Sequence, residues 1–97
     1  MLVETDYFMT ATWESLRHNK KVIMVSGGFD PMHGGHLQYI IDAAKLKGPD
    51  GILVAVVNGD GFLHRKKQYR FMVEYERARI VDNQKGVDYT LIWDDDT

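Results

Sequence analysis

No cysteine occurs among the 97 residues, so neither a disulfide framework nor a thiolate metal site is available to the chain. Positive charge is not in excess either. Twelve Lys and Arg against 14 Asp and Glu leave a formal net charge of -2 and a pI near 6.0, which argues against nucleic acid as a partner. No apolar run approaches the ~18 residues of a membrane span, and the opening MLVETDYFMT lacks the charged and apolar regions of a signal peptide. Internal repeats and low-complexity segments are also missing. What remains is 44% hydrophobic and 27% charged, an ordinary globular composition. We read residues 1–97 as one small cytoplasmic domain that buries about 60–65% of the surface its unfolded chain exposes, with no membrane contact.

The chemistry concentrates in residues 22–46, VIMVSGGFDPMHGGHLQYIIDAAKL. Val22, Ile23 and Val25 form a short β-branched apolar run that predicts a buried strand ending at Ser26-Gly27-Gly28. Leu37, Ile40, Ile41 and Ala44 then recur at i, i+3, i+4 and i+7, the stripe of an amphipathic helix. Between them lies Phe29-Asp30-Pro31-Met32, followed by His33-Gly34-Gly35-His36 at the predicted helix N-terminus. A helix N-terminus presents unpaired N–H groups and a positive dipole end, which suits phosphate. Gly27 and Gly28 lack Cβ atoms and allow a nucleotide close to the backbone. Pro31 fixes φ in the turn, Gly34 and Gly35 leave the helix start uncrowded, and His33 and His36, roughly one turn apart, can address one bound group.

Lys47-Gly48-Pro49-Asp50-Gly51 reads as a turn, and Ile52 to Val57 as a second strand, apolar throughout as expected of a parallel strand covered on both faces. Strand, helix and strand make a βαβ unit, in which ligands bind beyond the strand carboxyl ends at the point where strand order reverses. Ser26-Gly27 and Asn58-Gly59-Asp60 should therefore face one crevice. The basic segment His64-Arg65-Lys66-Lys67 reads as a loop, either solvated or supplying the cations a triphosphate needs. Residues 72–85 predict a helix with Val73, Ile80, Val81 and Tyr75 toward the sheet and Gly86 just beyond it; Tyr89 to Trp93 predict a third strand. Residues 1–21 read as an N-terminal extension with a short helix capped by Thr5 or Asp6, whose Phe8, Trp13 and Leu16 pack on the sheet or on a partner subunit.

Gly27-Gly28-Phe29-Asp30-Pro31-Met32-His33-Gly34-Gly35-His36 resembles the G-x-F-D-x-x-H-x-G-H signature of the cytidylyltransferase-like nucleotidyltransferases, in particular heptose-phosphate adenylyltransferases and glycerol-3-phosphate cytidylyltransferases. The resemblance runs from about Val22 to the C-terminus. It implies an α/β, Rossmann-like parallel sheet with flanking helices, and transfer of a nucleotidyl group from ATP or CTP, with Mg²⁺, to a sugar or polyol phosphate, releasing pyrophosphate. Under it His33, His36 and Lys66 are catalytic; Gly27, Gly28, Phe29, Asp30, Gly35, Asp60, Lys67 and Arg77 hold the nucleotide; no protein residues are assigned to metal. Asp60 takes the place of the family aspartate, and Tyr75-Glu76-Arg77 that of the family's E-x-R, with an exposed helix arginine as the alternative for Arg77. Asp94-Asp95-Asp96 resembles an acidic turn of the heptose-phosphate enzymes, and a homodimer is implied.

Two departures stand out. Gly28 occupies a position where relatives often carry Thr, Ser or Cys, so a hydroxyl near the phosphates is lost. The family's later helix, strand and S-S/T-T-x-x-R/K phosphate clamp have no counterpart before Thr97, so the fold is read as C-terminally truncated. A nucleotide-binding module without turnover is the alternative function. A transition metal held by His33 and His36, with Asp30 or His64 as a third ligand, is a further reading.

Overall fold

A computed structural model describes residues 1–67 and 70–94, without the side chain of Lys67. The chain forms α1 (Thr5–Tyr7), a π turn (Phe8–Thr12) and α2 (Trp13–Asn19), then β1 (Val22–Gly27), α3 (Gly34–Lys47), β2 (Ile52–Asn58), α4 (Asp60–Lys67), α5 (Glu74–Asp82) and β3 (Tyr89–Trp93). The strands make a parallel sheet in the order β1-β2-β3, with Val22 opposite Ile52, Gly27 opposite Val57, Val54 opposite Tyr89 and Asn58 opposite Trp93. The loops after β1 and β2 both lie at the carboxyl ends of these neighbouring strands and frame one crevice.

Strand alternation divides the apolar residues between two faces. Val25, Leu53, Ala55 and Val57 pack on one face against Ile40 and Ala43 of α3 and Ala78 and Val81 of α5. Val54 and Leu91 on the other face meet Phe8, with Met9, Trp13, Leu16 and Tyr89 around it. The N-terminal extension thus covers the second face, and its aromatic residues pack on the sheet. The ring of Phe8 is 5.2 Å from that of Tyr89. Glu4, and not Thr5 or Asp6, caps α1: its carboxylate accepts from the amides of Asp6 and Tyr7, because those donors lie two and three residues ahead of it.

Ahead of α1, Leu2 pairs in parallel with Thr90: the Val3 amide donates to the Thr90 carbonyl at 3.0 Å and the Thr90 amide to Met1 at 2.9 Å. The outer side of β3 is therefore occupied. Among the described residues no strand pairs with the outer side of β1, where the Ser26 amide donates to the Tyr39 hydroxyl at 3.4 Å.

Two helices differ from expectation. The stripe of α3 is rotated: Ile40 and Ala43 are buried, while Leu37 and Ile41 are exposed. In α5 the buried set is Arg77, Ala78 and Val81, and Val73, Tyr75 and Ile80 are exposed. A fully buried arginine sets that rotation, and apolar periodicity cannot anticipate it. The helix is also shorter than residues 72–85, ending at Asp82, with Gly86 beyond it at φ 96°.

Candidate active site

The carboxyl end of β1 turns sharply into α3. Phe29 sits at φ 51°, a left-handed conformation that non-glycine residues seldom adopt, and its ring is buried. That ring lies 5.0 Å from the imidazole of His36 and supports it from the core. Asp30 accepts from the amides of Phe71 and Met72, each at 2.6 Å, and so ties this turn to the approach of α5.

The two histidines are stacked, with ring centroids 3.9 Å apart. They also form the capping box of α3. His33 Nδ1 accepts from the Gly35 amide at 3.0 Å, and His36 Nδ1 accepts from the His33 amide at 3.2 Å. Burial lowers the pKa of His36 below its ordinary 6.5, and His33 beside it acts in the same direction. Gly35 has a steric role, since a Cβ there would lie 2.9 Å from the His33 ring, whereas one on Gly34 would meet nothing within 4 Å.

His36 borders an open cavity of about 240 Å³ together with Gly28, Phe29, Asp30, Asn58, Leu63 and Lys66. Lys66 comes from α4, a helix where the sequence suggested a loop. Gly59 and Gly61 mislead, because both are small for a tertiary reason. A Cβ on either would lie 2.6 Å from the carboxylate of Asp94, which accepts from the Phe62 amide at 2.7 Å and anchors the helix start. Leu63 was not singled out, yet it seats α4 on the core and faces Gly28, where a Cβ would stand 3.0 Å from its Cδ2. A larger residue at position 28 thus needs a different partner on α4. The Lys66 ammonium lies 5.7 Å from the Phe62 ring, an exposed cation–π contact.

Other expected site residues take supporting places. Arg77 is neither a ligand contact nor an exposed helix arginine. Its guanidinium donates to the carbonyls of Met72 and Gly28, each at 2.9 Å, to that of Asn58 at 2.5 Å, and to Asp60 Oδ1 at 2.7 Å. Asp60 opens α4 and also faces Arg70 at 3.4 Å, so it neutralises arginines and does not line the cavity. Gly27 packs against the Phe29 ring, where a Cβ would stand at 3.4 Å. The Lys67 side chain and residues 95–96 lie outside the described residues. Among those described, no three His, Asp or Glu converge to hold a metal, and Asp30 and His64 do not complete a site with the two histidines.

Residues 24–97 match the cytidylyltransferase-like family. The chain belongs to that family. An FAD synthase of Methanobrevibacter smithii is 37% identical over 68 residues, covering 70% of this chain and 44% of that protein. An FAD synthase of Korarchaeum cryptofilum is 40% identical over 75 residues, covering 76% and 51%. The bifunctional protein HldE of Citrifermentans bemidjiense is 36% identical over 80 residues, covering 80% of this chain and 16% of HldE. Among solved structures, a lipopolysaccharide core biosynthesis protein of Thermoplasma volcanium superposes with a TM-score of 0.68 at 27% identity, covering 75% of this chain and 57% of that one. The chain therefore spans about half the length of the FAD synthases it matches, and no helix among its described residues is long and apolar enough to cross a membrane.

Proposed function

We propose that these residues form the nucleotide-handling part of a nucleotidyltransferase, which moves a nucleotidyl group from ATP or CTP to a small phosphorylated acceptor. The observation that carries this reading is the pair of stacked histidines at the start of α3, with Lys66 bordering the same cavity as His36. An acceptor phosphate oxygen attacks the α-phosphorus, the bond from that phosphorus to the bridging oxygen breaks, and pyrophosphate leaves with the electron pair. His33 and His36 donate hydrogen bonds to oxygens that gain charge in the transition state, and Lys66 attracts the β- and γ-phosphates. Mg²⁺ would enter as the counter-ion of the triphosphate, as part of the substrate, since no protein cage for it forms among the described residues.

The acceptor classes to assay are the sugar or polyol phosphates that the sequence resemblance implies and, because two of the relatives are FAD synthases, flavin phosphates. The test begins with calorimetric titration of ATP and CTP, each with Mg²⁺, into the 97-residue chain and its His36→Ala variant. Micromolar binding of one nucleotide, lost in the variant, supports the site and identifies the base. Absence of binding to either removes it from these residues.

A second reading is a module that binds nucleotide without turnover. It is favoured by the cavity's lining, in which Lys66 is the one cationic side chain among the described residues, few for a triphosphate. Release of pyrophosphate on adding an acceptor to the nucleotide complex excludes it.

A further inference from the structure

The geometry points to the first turn of α3 as a device that fixes the tautomer of both site histidines, placing the proton of each neutral imidazole on Nε2. A neutral imidazole has one donor and one acceptor nitrogen, and the bond made by one decides the state of the other. In this helix both Nδ1 atoms face backbone N–H groups, which can only donate: the Gly35 amide at 3.0 Å from His33 and the His33 amide at 3.2 Å from His36. Each Nδ1 must therefore supply a lone pair, and each proton resides on Nε2. Backbone amides do not titrate in the working range, so the arrangement holds without a carboxylate.

For His36 the imidazolium is disfavoured for the same reason. Its Nδ1–H would point at another N–H and break the helix cap. Two cationic rings 3.9 Å apart would also repel each other. Of the described residues, Lys66 from α4 borders the cavity with His36, Asp30 lies in the loop before the helix, and the Phe29 ring against His36 is apolar.

Gly35 belongs to this device. A Cβ at position 35 would stand 2.9 Å from His33 Cε1 and 3.2 Å from Nδ1, displacing the ring that accepts from the same residue's amide. Position 34 carries no such restriction. The second glycine is thus read as the seat of the first imidazole.

The consequence for chemistry rests on the nucleotidyl-transfer reading. Two Nε2–H groups are presented as neutral donors, fit to stabilise charge on phosphate oxygens but holding no proton to release as a general acid. The tautomer assignment itself does not depend on that reading.

The test is imidazole ¹⁵N NMR of the free 97-residue chain near neutral pH, with the His33 and His36 signals assigned from single His→Gln variants. Both residues are expected in the Nε2–H form, Nδ1 being the unprotonated nitrogen. Gly34→Ala should leave both patterns unchanged, and Gly35→Ala should turn His33 into a tautomer mixture while the chain stays folded. Nδ1–H forms, or rapidly averaged tautomers at either histidine in the unsubstituted chain, overturn the proposal; so does a Gly35→Ala variant whose His33 signals do not move. Nucleotide titration of the same sample separates the two ideas. Fixed Nε2–H tautomers in a chain that binds neither ATP nor CTP would uphold the tautomer assignment and remove the nucleotide reading.

Discussion

The guanidinium of Arg77, fully buried, lies 2.7 Å from Asp60 Oδ1, and the same side chain bonds the last residue of β2 and the glycine turn after β1. One arginine thereby joins the two loops that frame the cavity to α5, which contributes no side chain to the cavity's lining. Its role is to hold the cavity's shape.

Removing that group leaves Asp60 with a weaker partner in Arg70 and strands three carbonyls. Arg77→Met should destabilise the fold by roughly 3–5 kcal/mol, the usual loss when one partner of a buried pair is deleted. Arg77→Lys should recover only part of this, since one ammonium cannot reach four acceptors held in a planar fork. Urea unfolding followed by circular dichroism checks both; a loss under about 1 kcal/mol for Arg77→Met would show that the pair is dispensable.

His36→Ala should lower turnover, once acceptor and nucleotide are identified, by on the order of 10²–10³, or ~3–4 kcal/mol, as for loss of one transition-state donor. Steady-state kinetics with a loss below about tenfold would contradict its role. His36→Gln keeps an acceptor at the third helical position, so it should retain helix stability while still losing rate.

The two glycines between the histidines should part company. Gly34→Ala places a methyl in open space within a helix and is expected to stabilise by about 0.4–1 kcal/mol. Gly35→Ala should instead destabilise, because its methyl meets the His33 ring. Thermal melts of the two variants measured side by side give the sign directly.

Acidification provides a fourth check. The pKa of folded His36 lies below the ordinary value, so between the two values the unfolded chain binds more protons than the folded one. The stability contributed by neutral His36 is then complete above the unfolded value and is lost as pH falls through the folded one. Urea midpoints compared near pH 7.5 and pH 5 should fall further for the unsubstituted chain than for His36→Gln.

Much of this was legible in the residues. Apolar, β-branched or aromatic runs placed all three strands, and β2 is apolar up to Val57 because both its faces are covered. The glycine turn, both histidines and Lys66 stand out because their chemistry is local or borne by a signature. Three things were hidden for one shared reason, dependence on a partner distant in sequence. The rotation of α5 follows from the burial of Arg77, whose acceptors sit up to 49 residues away. The helix α4 hides behind Gly59 and Gly61, whose smallness makes sense only once Asp94 is known to press on them. The places of Asp60 and Arg77 looked like ligand positions because a charge near a phosphate site and a charge that holds such a site together leave the same trace in a sequence.

The sheet has a finished side and a growing side. Met1 to Val3 lie along the start of β3, so among the described residues the side left open to a further strand is that of β1, where Val22, Met24 and Ser26 carry no charge. A newcomer there would run beside the strand that ends in Gly27 and would bring its own terminal loop next to the histidines. Lengthening the sheet would then alter what the reacting groups meet at the end of β1, where the Arg77 clamp also holds the Gly28 carbonyl.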